Sequence, residues 1–166
     1  MHRPLALALA FGSLATACGG APVTALHALS GGFYDAPFPD DARLGPDGTF
    51  DLAAFPRPNA AIRGYVDTID RAITGAGPAA AILSRFDGPL DPSSLPADAL
   101  ASLRQNSGVA LVDITPGSPG YGERAPVLAT FHGDGNAYIG DNWLAARPVP
   151  GFPLRERTTY ALLLTD

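Results

Sequence analysis

The amino-acid sequence predicts a mainly β protein: an antiparallel sandwich carrying one packed amphipathic helix. Three observations point there. Short apolar runs recur along residues 81–165 with turn-forming residues between them, the pattern of a many-stranded antiparallel fold. Nineteen glycines and seventeen prolines, more than a fifth of the 166 residues, follow no repeat period, which suits a turn-rich β chain better than a helical bundle. One stretch, residues 60–74, carries apolar side chains at sustained helical spacing.

In chain order, residues 1–17 read as a secretion signal. Arg3 supplies a basic start, Leu5–Ala17 is an uncharged run, and Ala15-x-Ala17 is a small-residue cleavage pattern. The run falls short of the roughly 20 apolar residues that span a bilayer, so a cleaved leader is expected, not a permanent anchor. Residues 18–32 are small and flanked by glycine pairs; they predict a flexible tether with His27 solvated in it. The folded body is expected over 33–166.

Within that body, Phe33–Asp41 and Gly45–Leu52 should lie extended across the surface, anchored by their Phe and Tyr side chains. Pro37 and Pro39 forbid a regular central strand there. Pro46-Asp47-Gly48 is a turn in which Pro presets φ and Gly accepts a positive one. The helix is expected from Ala60 to Thr74, with Ile62, Tyr65, Val66, Ile69 and Ile73 as its apolar stripe. Asn59 caps it and Gly75 stops it, while Arg63–Asp67 and Asp67–Arg71 fall four apart as weak ion pairs. Strands follow at Ala81–Phe86, Val109–Thr115, Val127–Phe131, Ala137–Ile139, Trp143–Ala146 and Thr158–Thr165. Asp91-Pro92 opens a short helix or turn, residues 116–126 form a loop, and Gly133-Asp134-Gly135-Asn136 has hairpin-turn chemistry.

Chemistry in this sequence concentrates at one residue. Cys18 is its single cysteine, so no disulfide staples the body, and an odd cysteine in an exported chain needs a partner or a modification. Leu14-Ala15-Thr16-Ala17-Cys18 resembles the lipobox of bacterial lipoproteins. That resemblance implies a diacylglyceryl group on the Cys18 thiolate, cleavage between Ala17 and Cys18, and a new lipid-bearing N-terminus. Two or three acyl chains hold a protein on a membrane far more firmly than one. Gly19 is not the Asp that, in one large bacterial group, retains such proteins at the inner membrane, so an outer-membrane location is expected.

No catalytic, cofactor or metal site is expected. Ser118 lies in Pro116-Gly117-Ser118-Pro119-Gly120, which misplaces the glycines of a nucleophile elbow and forbids the helix that follows one. His132-Gly133-Asp134-Gly135 is similar to the oxyanion segment of some esterases but lacks a downstream nucleophile. Asp35 with Asp40 and Asp41, and Asp134 with Asn136 and Asp141, supply too few oxygens for calcium, and His27 and His132 have no cysteine partner for zinc. Trp143 and the aromatics Phe33, Tyr34, Phe38, Phe50, Phe86, Phe131, Phe152 and Tyr160 are expected in the core. All eleven basic residues are arginine and the net charge is −5, which argues against a nucleic-acid partner.

Several segments together resemble a known module. Phe33…Pro37-Phe38-Pro39-Asp40-Asp41, Asp47-Gly48-Thr49, Phe86-x-x-Pro89-Leu90-Asp91-Pro92-x-Ser94-Leu95, Val109-x-Leu111-Val112-Asp113 and Pro153-Leu154-x-x-x-Thr158-Thr159-Tyr160-x-Leu162-x-Leu164-Thr165 occur in that order. This set is similar to the domain ahead of the hydrolase domain in bacterial virulence-factor lipases, and its second half to bacterial Ig-like surface modules. The resemblance covers 33–166 and implies an Ig-like β-sandwich without catalytic residues of its own. The expected role is a non-enzymatic, lipid-anchored envelope protein whose partner is the membrane. The alternative is the accessory domain of an exported lipase or esterase whose catalytic part lies beyond Asp166.

Overall fold

The computed structural model describes residues 22–165; the leader, Ala17 and Cys18 lie outside them. Six strands form two antiparallel sheets of three. They are β1 (Ile82–Arg85), β2 (Val109–Asp113), β3 (Arg124–Ala125), β4 (Val127–His132), β5 (Trp143–Pro148) and β6 (Tyr160–Leu164). One sheet has the order β1-β5-β4 and the other β3-β2-β6. Among the described residues one α-helix, α1, spans Ala60–Ile69. The mainly β class is therefore as expected.

Alternation along the strands explains how the sheets share a core. Leu111 pairs with Leu162 and Ala125 across one sheet, and Leu144 with Phe131 and Ser84 across the other. Because side chains alternate faces with period two, these rows lie on common faces. Phe86, Val109, Leu111, Val127, Leu144 and Ala146 are all buried in one apolar cluster drawn from both sheets. Leu111 and Val127 are fully buried, each contributing about 1.5–3 kcal/mol by burial. The chain passes from β3 to β4 through Pro126, a residue that has no N–H for a ladder to leave unpaired.

The opposite face of the β1-β5-β4 sheet carries the N-terminal segment. Phe33, Tyr34, Phe50, Leu52, Val66 and Ile139 form a second buried cluster, with Leu83 and Trp143 packed against it. Phe33 sits at its centre, 5.0 Å from the rings of Tyr34, Phe38 and Phe55. The segment from 33 to 55 is extended with two 3₁₀ turns, Phe33–Asp35 and Asp41–Arg43. As expected from its flanking prolines, Phe38 enters no strand. It makes one hydrogen-bonded pair with Leu83 on the outer edge of β1, at 3.0 and 2.8 Å.

Several local expectations change. The helix starts at its predicted cap, where Asn59 Oδ1 accepts from the Ile62 N–H at 3.0 Å. It ends at Ile69, five residues early, because Arg71 takes a left-handed φ of 59°. The chain then pairs with Phe50: Arg71 N–H donates to the Phe50 carbonyl at 3.3 Å, and Phe50 N–H to that of Ile73 at 2.9 Å. Tyr65, placed in the stripe by spacing, is 67 % exposed. Asp67 pairs with Arg57 and Arg71 with Asp51, in place of the expected pairs along the helix. Ala137–Ile139 is no strand. Asn136 Oδ1 accepts from the Tyr138 and Ile139 amides, and Asn136 N–H donates to the Ile139 carbonyl, so these residues close a turn. The β4–β5 hairpin is real, but its loop runs from 133 to 142. Phe152, expected in the core, is 65 % exposed.

The expected tether is engaged from Thr24 onward. Thr24 N–H donates to Asp87 Oδ1 at 2.7 Å, Leu26 N–H to the Arg85 carbonyl at 2.8 Å and Ala28 N–H to that of Asp35 at 2.6 Å. An open strand edge offers unpaired backbone groups, and Leu26 of this segment takes up one of them at Arg85, the end of β1.

Candidate functional site

The geometry gives the candidate groups on the described residues structural employment. Asp113 ends β2 and is almost wholly buried. Its carboxylate accepts from the Thr115 N–H at 2.9 Å and the Ser118 hydroxyl at 2.6 Å, with Arg155 Nη1 3.7 Å away. The Ser118 hydrogen bond, ahead of the Thr115 contacts and the Arg155 charge, holds the carboxyl below the usual range. Ser118 Oγ in turn accepts from the Gly120 N–H at 3.2 Å. Ser118 is thus the hub of a loop, its proton directed to a buried carboxylate.

His132 is at the end of β4, exposed, with its ring stacked on Trp143 at 4.0 Å and 13°. The two are cross-strand partners, with Arg85 the next residue along the same row. Trp143 Nε1 donates to the Asp134 carbonyl at 3.1 Å, and Arg85 pairs with Asp35. Asp141 Oδ1 accepts from the Gly135 N–H at 2.7 Å. Asp134, Asn136 and Asp141 therefore organise one loop. Among the described residues no group of three or more His, Cys, Asp or Glu stands close enough to hold a metal ion. His27 is exposed, 4.0 Å from the Asp40 carboxylate.

Two concavities lie at the side of the molecule where β6 begins. The larger, of about 620 Å³, is bounded by the N-terminal segment, residues 74–80 and the stretch 154–160. Leu44, Phe50, Ile82 and Leu154 give it apolar walls, while Asp40, Asp41, Arg155, Glu156 and Arg157 bring charges of both signs. Among the described residues no His, Ser or Cys lines it. The smaller, of about 380 Å³, is lined by Glu123, Phe152 and Arg155, with the buried Asp113 at its wall. Arg155 belongs to both, with Nη2 3.3 Å from Glu123 Oε2. Sequence reasoning passed over this arginine. The signal that could have found it is the charged run Arg155-Glu156-Arg157, two residues ahead of the uncharged strand β6.

Comparison with protein-family models, curated proteins and solved structures yields no match.

Proposed function

We propose that this chain is a non-enzymatic, lipid-anchored cell-envelope protein whose Ig-like sandwich serves interaction or spacing close to a membrane. The observation that carries the reading is Cys18, the chain's single cysteine, placed directly behind a cleavable leader in a lipobox-like setting. Two antiparallel three-stranded sheets with a common apolar cluster support the sandwich.

The docking of residues 24–28 adds geometry to the anchor. Thr24 stands six positions after Cys18, and an extended chain covers at most about 3.5 Å per residue. A lipid on Cys18 would therefore keep the body within roughly 20 Å of the bilayer surface. The protein is then a membrane-hugging module, not one displayed on a long stalk.

Metabolic labelling with tagged palmitate tests the anchor. Wild-type protein should take up label and fractionate with membranes, and Cys18→Ala should lose both properties. A wild-type chain that takes up no label ends the lipoprotein reading.

A further inference from the structure

We infer that one end of the body, formed by the β4–β5 loop with Asp87-Gly88 and Pro22-Val23, lies against a bilayer of zwitterionic lipid headgroups, with both cavities turned away from it. The inference rests on the reading of Cys18 as a lipid anchor and adds which face that anchor presents.

Strand direction shows where the chain leaves the body toward Cys18. β1 and β4 both run antiparallel to β5 and end beside its first residue, since Arg85 and His132 are the two partners of Trp143. The N-terminal segment lies along β1 in the reverse direction. Ala25 pairs with Phe86 antiparallel, Leu26 N–H donates to the Arg85 carbonyl, and Asp87 N–H donates to that of Thr24 at 3.1 Å. Followed toward Cys18, the chain therefore passes beyond the end of β1, where a side chain on Gly88 would touch Val23 Cγ2 at 3.4 Å. On the other side of the same turn, Phe86 N–H donates to the Asn142 carbonyl at 2.8 Å. The chain exit and the β4–β5 loop are thus neighbours flanking Asp87.

The reach of the chain excludes the opposite end. Cys18 stands four positions before Pro22, about 14 Å at full extension. β1 and β4 begin at Ile82 and Val127, and the cavities lie there: Ala80 and Ile82 line one, Ala125 and Pro126 the other. The six residues of β4 alone put roughly 20 Å between the two ends. While residues 24–28 stay docked on β1, a lipid on Cys18 cannot draw the cavity end onto the bilayer.

Side chains at the exit end suit headgroups. Val23 is 37 % exposed and Tyr138 39 %, and a tyrosine ring is at home at headgroup level, apolar in its body and polar at its tip. Asn136 Oδ1 accepts from the Tyr138 amide while Ile139 beside it is buried, so the turn spends its one core position on Ile139. Charge then selects the lipid. Asp87, Asp134 and Asp141 are exposed here, and Arg85 is already paired with Asp35. An anionic surface would set like charges against those aspartates within a Debye length, and a zwitterionic one does not.

Position-specific quenching tests the face. With Cys18 lipidated no other thiol is present, so full-length Tyr138→Cys and Glu156→Cys chains, purified from membranes in detergent, take one bimane each. Both positions are exposed, Glu156 at the larger cavity. The chains are reconstituted into phosphatidylcholine vesicles that include lipids with a nitroxide on the headgroup. Bimane at 138 should be quenched several-fold more than bimane at 156. Equal quenching, or stronger quenching at 156, in protein that floats with the vesicles overturns the orientation and leaves the anchor standing. Chains that take up no tagged palmitate and do not float overturn the anchor, and the face with it. Replacing part of the phosphatidylcholine by phosphatidylglycerol at low ionic strength should weaken quenching at 138; a stronger signal overturns the assignment to zwitterionic headgroups.

Discussion

In the two-sheet body, burial is mainly aliphatic and the backbone's polar groups are satisfied by continuous ladders. In the segment from Phe33 to Ile73, burial is largely aromatic, and the backbone is satisfied piecemeal by turns, single pairs and side chains. Leu52 N–H, for example, donates to the Asp70 carboxylate at 2.7 Å. Arg57 donates to the Ala53 and Phe55 carbonyls. Arg43 is buried over the Phe33 ring, donating to the Phe33 carbonyl, with its Nε left unpartnered. Ladders couple many residues at once, whereas single hydrogen bonds open one at a time. The body should therefore unfold as one unit, and the N-terminal segment should open below that limit.

Emptying each core gives the largest expected effects. Phe33→Ala should cost about 4 kcal/mol and Leu111→Ala about 3 kcal/mol. The location of the damage separates the regions. Under native-state hydrogen exchange, Leu111→Ala should accelerate amides of β2 and β5 together. Phe33→Ala should accelerate α1 and residues near Phe50 while β2 and β6 keep their protection. Equal acceleration of β2 in both variants would merge the regions into one cooperative unit.

The two regions should also fail at opposite ends of the pH scale. Asp113, in the body, has its folded pKa lowered below the ordinary 3.8, chiefly by the Ser118 hydrogen bond. Its contribution is present above about pH 4 and is lost as pH falls through the depressed value. Tyr34, in the aromatic cluster, has its pKa raised above 10.0 by burial, against a smaller opposing effect of Arg43. Its contribution is complete below pH 10 and is lost as pH rises through the raised value. Melting temperature against pH should lose part of its acid limb in Asp113→Asn and part of its alkaline limb in Tyr34→Phe. An unchanged acid limb in Asp113→Asn would remove that carboxylate from the account.

A smaller effect sits at the helix start. Asn59→Ala deletes the acceptor for the Ile62 N–H and should cost about 1 kcal/mol, read as a shift in denaturant midpoint. Because α1 belongs to the N-terminal region, the loss should appear in α1 exchange before it appears in β2.

The same contrast decides what could be read in advance. Short apolar runs set between turn residues marked β1, β2, β4, β5 and β6 within a few residues, since a strand that lies against the core carries its burial in its sequence. Asn59 was legible as a cap because its chemistry is local. Ile73 and Ile139 misled for a shared reason: both are apolar because they pack in the aromatic cluster, not because they belong to a regular element. At Ile73 the chain has left the helix to pair with Phe50, and at Ile139 the Asn136 side chain holds a turn. Tertiary contacts of that kind have no period to detect. Among candidate sites, Cys18 was conspicuous by its uniqueness and its leader. Arg155 was not, because its partners Asp113 and Glu123 lie more than thirty residues earlier in the chain.

The smallest expected difference is also the most discriminating one. Arg71 and Arg157 both hold a positive φ, 59° and 54°, which costs a residue with a side chain roughly 1–2 kcal/mol relative to the ordinary helical region. Glycine removes that cost, though ordering glycine itself takes back about 0.5–1 kcal/mol. Arg157, exposed before β6, has no ion-pair partner among the described residues, so Arg157→Gly should stabilise by about 0.5 kcal/mol. Arg71 pairs with Asp51 at 2.6 Å, but both side chains are nearly half exposed, and such a pair is worth at most about 1 kcal/mol. Arg71→Gly should therefore change stability little, its backbone gain offset by the lost pair. Denaturant midpoints of the two variants measure the difference directly. If they shift together, the Arg71–Asp51 pair carries nothing, and α1 ends at Ile69 because of the backbone pairing with Phe50 alone.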